Sequence, residues 1–173
     1  MINLGSNSAK FNVKKFKIFP DLLSIYNYKN FQSKKIILED NNITLESSNV
    51  KVLAKLLFNQ KKKFSLNNLV VKVNNKNKPI IKLKNIDFAN YGYNKNLITG
   101  EVFNKKFKIN IKEDLKKINY KLINSGVSGE IILDKFKKDD FISGIFKSKI
   151  LNTNLKFDFN YNYKTLNISN SFF

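Results

Sequence analysis

The sequence predicts a mainly β protein: an antiparallel meander with one short helix near residues 50–58. Three observations predict it. Apolar and polar residues alternate through much of Pro79–Asp134, as in Phe107-Lys108-Ile109-Asn110-Ile111-Lys112 and Ile118-Asn119-Tyr120-Lys121-Leu122. Side chains alternate across a strand, so this period-two pattern places one face in an apolar layer and the other in water. The breaks between alternating runs carry turn chemistry, at Asn90-Tyr91-Gly92, Asn104-Lys105-Lys106, Glu113-Asp114 and Asn124-Ser125-Gly126. The apolar residues are mostly Ile, Leu, Phe, Val and Tyr, which favour strands.

In chain order, Ser8–Phe19 is a first strand. Phe11 and Val13 share one face, Phe16 and Ile18 the other, and the phase change at Lys14-Lys15 predicts a bulge or a break. Pro20-Asp21 ends pairing, and Leu22–Phe31 reads as a short helix or an irregular link. Lys34–Leu38 and Ile43–Glu46 read as a hairpin around Glu39-Asp40-Asn41-Asn42. Val50, Leu53, Ala54 and Leu57 then fall at the i, i+3, i+4, i+7 spacing of a helical face, which Ser47 or Ser48 could cap. Phe64–Val73 resumes the strands, and the meander of residues 79–134 follows. A charged connection, Asp134–Asp140, leads to Phe141–Leu151, Asn154–Tyr163 and Leu166–Ser169. Leu155, Phe157, Phe159, Tyr161 and Tyr163 make the cleanest alternation in the chain. No fixed repeat is present, only strand, turn and strand recurring at roughly ten-residue spacing.

Composition bounds the chemistry. The 173 residues make one β-rich segment, with 20–31 and 134–140 as connecting stretches. All 32 basic residues are lysine and the net charge is +19. Such a charge fits an anionic partner, nucleic acid or membrane; it also fits the lysine, asparagine and isoleucine excess of an AT-rich genome. The absence of arginine argues against specific phosphate or base recognition, where the planar fork is preferred. Without histidine or cysteine, the usual general bases, metal ligands and thiol nucleophiles are missing. No metal site, cofactor or catalytic residue is expected. The acidic pairs Glu39-Asp40, Glu113-Asp114 and Asp139-Asp140 are neighbours in turns, and adjacent side chains do not converge on one substrate. Asp158 is out of phase with Phe157 and Phe159 and is expected to face solvent. Gly100 and Gly129, inside strand-like runs, read as bulges or turns in preference to close approach by a ligand or backbone. No apolar run approaches the ~18–20 residues of a membrane-spanning helix.

Several stretches resemble a known family. KIFPDLL, IILEDNNITLESSNVKVLAKLLFNQKKKFSLNNLVVKV, KPIIKLKNIDFANYGY and ITGEVFNKKFKINI follow one order. An FP-containing strand precedes a hairpin, a short helix with VxxLLxxLL-like spacing (Val50 to Leu57), a strand pair and a meander. Over about residues 15–134 this order resembles the AsmA-like family, envelope proteins of Gram-negative bacteria related to TamB and to the bridge-like lipid transfer group. The resemblance implies an extended, curved antiparallel sheet, open as a groove or taco, and no enzymatic activity. It also implies a role in phospholipid transport to, or maintenance of, the outer membrane. The implied location is the periplasm, anchored to the inner membrane by an N-terminal span. That span is absent from this sequence, so a fragment of a longer chain is expected, with flanking segments and phospholipid as partners. The alternating face supplies Ile109, Ile111, Tyr120, Leu122, Ile131 and Leu133 as candidate groove residues. The rival reading is a basic β-domain that binds nucleic acid or another polyanion, with lysines clustered on one face and steep salt dependence. No specific nucleic-acid partner is expected, and the sequence leaves oligomeric state open.

Overall fold

A computed structural model describes residues 10–12, 14–24, 26, 32–50, 53, 57–58, 60–112, 116–134, 142–162 and 165–173. The fold is mainly β and antiparallel-dominated, as the alternation predicts. The chain divides into two compact units, Met1–Phe103 and Asn104–Phe173.

The first unit contains β1 (Lys10–Asn12), β2 (Lys15–Pro20), β3 (Ser33–Glu39), β4 (Asn42–Glu46), β5 (Lys63–Asn75), β6 (Lys78–Ala89) and β7 (Leu97–Val102). The predicted hairpin between residues 34–38 and 43–46 does not form. β3 and β4 instead run in succession along β5, both parallel to it, with Leu38 opposite Leu66 and Ile43 opposite Val71. The jog between them is Asp40, at φ 54°, and Asn41, whose side chain is only 3% exposed. Two of the Asn41 polar groups are engaged sideways, while its Nδ2 is buried without a hydrogen-bond partner among the described residues. The Asn41 carbonyl accepts from the Val70 N–H at 2.9 Å, and the Asn41 Oδ1 from the Lys14 N–H at 2.7 Å. Strand β2 pairs antiparallel with β3, and β1 with β4. The predicted break at Lys14-Lys15 therefore lies beside Asn41, while the Phe11 and Val13 side chains lie outside the described residues.

A parallel pair needs a crossover, since no tight turn can join strands running the same way. Residues 47–62 supply it, starting with the 3-10 turn Ser47–Asn49. Of the predicted helix at 50–58, Val50, Leu53, Leu57 and Phe58 are described and helical; the remainder lies outside the described residues. Leu53, Leu57 and Phe58 are half-buried, and the Phe58 ring meets Phe88 edge-on at 5.3 Å. The crossover thus lies on the apolar face of the sheet, where Ile43, Leu45, Leu66, Leu69, Val71, Ile86 and Phe88 are buried.

Two bulges keep that face apolar. In an unbroken strand, residues three apart point to opposite faces, yet Leu66 and Leu69 are both buried. Asn68, at φ 54°, inserts the extra residue that restores the phase, and Asn85, at φ 50°, does the same between Leu83 and Ile86. Asparagine tolerates this left-handed conformation better than most residues. The Asn68 N–H donates to Asp87 Oδ1 at 2.9 Å, and its Nδ2 to Asp40 Oδ1 at 2.7 Å, so the bulge in β5 is tied to its neighbours on both sides.

The second unit is a simple meander of β8 (Lys105–Lys112), β9 (Lys117–Leu122), β10 (Val127–Leu133), β11 (Ile142–Ile150), β12 (Thr153–Tyr161) and β13 (Leu166–Phe172). The predicted turn at 124–126 has Asn124 at φ 56° and Gly126 at φ 70°. Glu113-Asp114 and most of the connection at 134–140 lie outside the described residues. In the other connecting stretch, 20–31, Leu22–Ser24 is a 3-10 turn.

Replacing Asn68 by valine forces a β-branched residue into the left-handed region, with an expected loss of about 1–3 kcal/mol. Asn68→Gly is expected to retain most of that stability. Urea midpoints of the two variants check the order, and an equal loss in both would exclude backbone strain as the cause.

Candidate functional site

The notable feature of the second unit is a sheet with two chemically opposite faces. Residues directly opposite one another in a ladder lie on the same face, so the registers define each face row by row. On one face, Phe107 stands opposite Leu122, Leu122 opposite Val127, and Val127 opposite Ile150. The central row runs Ile111, Ile118, Ile131, Phe146 and Phe157 across five strands. A further row runs Leu133, Gly144, Phe159 and Ile168. This face is apolar across all six strands, roughly 24 Å at ~4.8 Å per strand spacing.

All six candidate residues from the sequence fall on this face. Ile109 is opposite Tyr120, which is opposite Gly129, and Leu133 lies two residues along β10 from Ile131. Ile111 is buried, and the other five are half-buried. Within the unit each strand makes its substantial contacts with its ladder neighbours. Exposure rises toward β13, reaching 46% at Ile150, 53% at Ile168 and 56% at Leu166.

Sequence reasoning placed the aromatic run 155–163 in a strand without joining it to the candidate residues. The structure joins them by stacking. The Tyr120 and Phe146 rings lie 6.0 Å apart at 28°, and Phe146 and Phe157 lie 4.7 Å apart at 18°. Gly129 permits this ladder. A Cβ there would come within 2.5 Å of the Tyr120 Oη and would also meet the Lys147 carbonyl. The strand is regular at Gly129, so its role is close approach of a ring and not the expected bulge. The signal was in the sequence: a glycine in phase with apolar neighbours and next to a strand bearing a tyrosine.

The reverse face is polar and basic. One row reads Lys108, Lys121, Ser128, Lys149 and Asn154, and the next reads Asn119, Glu130, Lys147 and Lys156. Asp158 lies on this polar side, opposite Ile145, where Oδ2 accepts from Asn170 Nδ2 at 2.7 Å. It is half-buried there, on the face that its phase relative to Phe157 and Phe159 predicts. Glu130 is held by Lys117 at 2.7 Å and Lys147 at 3.6 Å. Its hydrogen bond from Lys117, aided by the charge of Lys147, lowers its pKa below the ordinary 4.5. Three lysine pairs stand directly opposite one another on this face: Lys108 with Lys121, Lys112 with Lys117, and Lys147 with Lys156. Like charges in direct opposition are destabilising.

Of the acidic pairs singled out by sequence, Glu39 and Asp40 are each taken by a lysine, Glu39 by Lys17 at 2.7 Å and Asp40 by Lys15 at 3.3 Å. Glu113-Asp114 and Asp139-Asp140 lie outside the described residues. Among the described residues, no group of three or more acidic side chains could hold a metal ion, and no helix is long and apolar enough to cross a membrane. No protein-family model, curated protein or solved structure matches this chain.

Two outcomes test this geometry. Gly129→Ala is expected to cost about 1–3 kcal/mol by overpacking. Adding Tyr120→Ala should restore only part of that loss, because the Lys147 carbonyl remains in the way; full recovery would mean that the ring alone excludes a side chain. For Glu130, the folded pKa lies below the unfolded one, so its stabilisation is complete above about 4.5 and lost as pH falls through the folded value. The gap in melting temperature between the native chain and Glu130→Gln should therefore close on acidification. A gap independent of pH would rule out the ion pairs as its source.

Proposed function

We propose that this chain is a non-enzymatic lipid-handling β-protein whose second unit holds acyl chains against its apolar face. One observation carries the reading: an apolar surface six strands wide, most of whose side chains remain half-exposed. Monomeric surfaces rarely leave contiguous apolar patches beyond a few hundred Å² uncovered. At ~25 cal/mol per Å², covering roughly 400 Å² contributes about 10 kcal/mol before ordering costs. Acyl chains suit such a face because it offers dispersion and apolar area along a direction but few buried polar groups to fix a compact ligand. The resemblance to AsmA-like proteins supports the same reading and adds the envelope setting: phospholipid transport or outer-membrane maintenance, from the periplasm.

A second reading, a basic β-domain that binds a polyanion, draws on the opposed lysine pairs of the reverse face. The readings separate by face. Native mass spectrometry with lipid extraction should find phospholipid on the purified chain, and Ile109→Asp with Leu122→Asp should abolish it. Ile150→Asp with Ile168→Asp, at exposed positions of the same face, guards against loss through unfolding, with circular dichroism as the check. A lipid-free chain that binds no fluorescent apolar dye would sink the proposal, and steep salt dependence of polyanion binding would then favour the second reading.

A further inference from the structure

The reverse face of the second unit contains a cavity of 850 Å³ lined by Ser128, Lys147, Lys149, Asn154, Lys156 and Phe172, among others. Its lysines are arranged at a cost. Lys147 is directly opposite Lys156, so their Cβ atoms stand roughly 4.5–5.5 Å apart. Lys149 lies two residues along the same strand, roughly 7 Å away on the same face. Lys149 itself sits between Ser128 and Asn154. The one carboxylate side chain in the lining, Glu130, is already engaged by Lys117 at 2.7 Å and reaches only Lys147, at 3.6 Å. The Lys156 ammonium lies 6.0 Å over the Phe172 ring, and the Lys149 ammonium has no partner among the described residues.

We infer that this cavity binds a phosphate group. A tetrahedral oxyanion can accept from several ammonium groups at once and removes the repulsion between Lys147 and Lys156. Ser128 and Asn154 add neutral donors beside Lys149. Lysine recognises phosphate as a point charge with rotatable donors, so the missing arginine fork lowers selectivity among phosphates without preventing capture. The cavity exceeds the size of bare phosphate, and the Phe172 ring lines part of it, so a phosphate ester fits better than the free ion. Its source is a soluble ester or a phospholipid headgroup. The site stands on the opposite face from the proposed acyl surface and does not depend on it.

The test uses the full chain, titrated at constant ionic strength with inorganic phosphate, with glycerol 3-phosphate, and with vesicles of phosphatidylglycerol in phosphatidylcholine. Saturable binding is expected, with amide shifts centred on Ser128, Lys147, Lys149 and Asn154. The triple variant Lys147→Gln, Lys149→Gln, Lys156→Gln should weaken it by about tenfold or more. A control that removes the same charge from the first unit (Lys72→Gln, Lys82→Gln, Lys84→Gln) should change it by no more than about twofold. Binding of the soluble probes identifies a soluble ester as the source, and binding of vesicles alone identifies the headgroup. Equal weakening in the triple variant and the control would mean diffuse attraction and overturn the site, as would no saturable binding to any probe. Lys149→Glu, which breaks no contact of the fold, repeats the test should the triple variant fail to fold. The acyl-face variants Ile109→Asp and Leu122→Asp should leave binding of the soluble probes intact, which keeps failure of one proposal separate from failure of the other.

Discussion

Side chains alternate across a strand, and a paired ladder puts opposed residues on one face, so hairpin register decides which residues can form a surface at all. A slip of one residue in β9 would send Ile118, Tyr120 and Leu122 to the lysine side and bring Lys117, Asn119 and Lys121 into the apolar rows. The same constraint explains the bulges of the first unit. A strand longer than its alternating run must insert a residue wherever the apolar phase changes. Asn68 and Asn85 do so in the left-handed conformation, with the broken ladder at Asn68 repaired through Asp87 on one side and Asp40 on the other.

The two units solve the exposure of an apolar face differently. In the first, the crossover that a parallel pair requires also brings Leu53, Leu57 and Phe58 onto the sheet, and seven apolar side chains of β4, β5 and β6 become buried. In the second, every connection is a hairpin or a short link between antiparallel neighbours, so the topology provides no crossover to lie on the sheet. Its apolar side chains find one another within the layer instead. The stack of Tyr120, Phe146 and Phe157 spans β9 to β12 and covers Gly129. Stacking of this kind contributes about 0.5–1.5 kcal/mol per ring pair beyond area. It holds the layer together from within.

Much of this was legible in the sequence. Alternation identified the strands of both units, and it placed Ile109, Ile111, Tyr120, Leu122, Ile131 and Leu133 on one face, because period two is a local property. The phase change at Lys14-Lys15 was readable for the same reason. The reading failed at residues 34–46, where Asp40-Asn41 looked like a hairpin turn. Turn residues report that the chain departs from extended geometry, not by how much it turns. Whether Asp40 at φ 54° ends a strand or jogs it depends on Lys14, Asn67 and Val70, which are distant in sequence. Gly129 was misread for a related reason: its meaning lies in Tyr120 on the neighbouring strand. The pairing of lysine with lysine across strands was likewise invisible, since it exists only once register is fixed.

The same register that gathers apolar residues on one face concentrates charge on the other. A net charge of +19 spread evenly over a surface would be screened within about a Debye length and would mark no particular site. Alternation prevents that even spread: once the even positions of β8 and the odd positions of β9 are polar, their lysines must oppose one another. Three such pairs on one face, with Glu130 answering only Lys117 and Lys147, leave an unbalanced positive field next to Lys149 and Lys156. The two proposed activities therefore share one cause. An alternating sheet cannot present an apolar surface on one side without presenting the residues between on the other. In a chain whose polar residues are chiefly lysine and asparagine, that other side attracts anions.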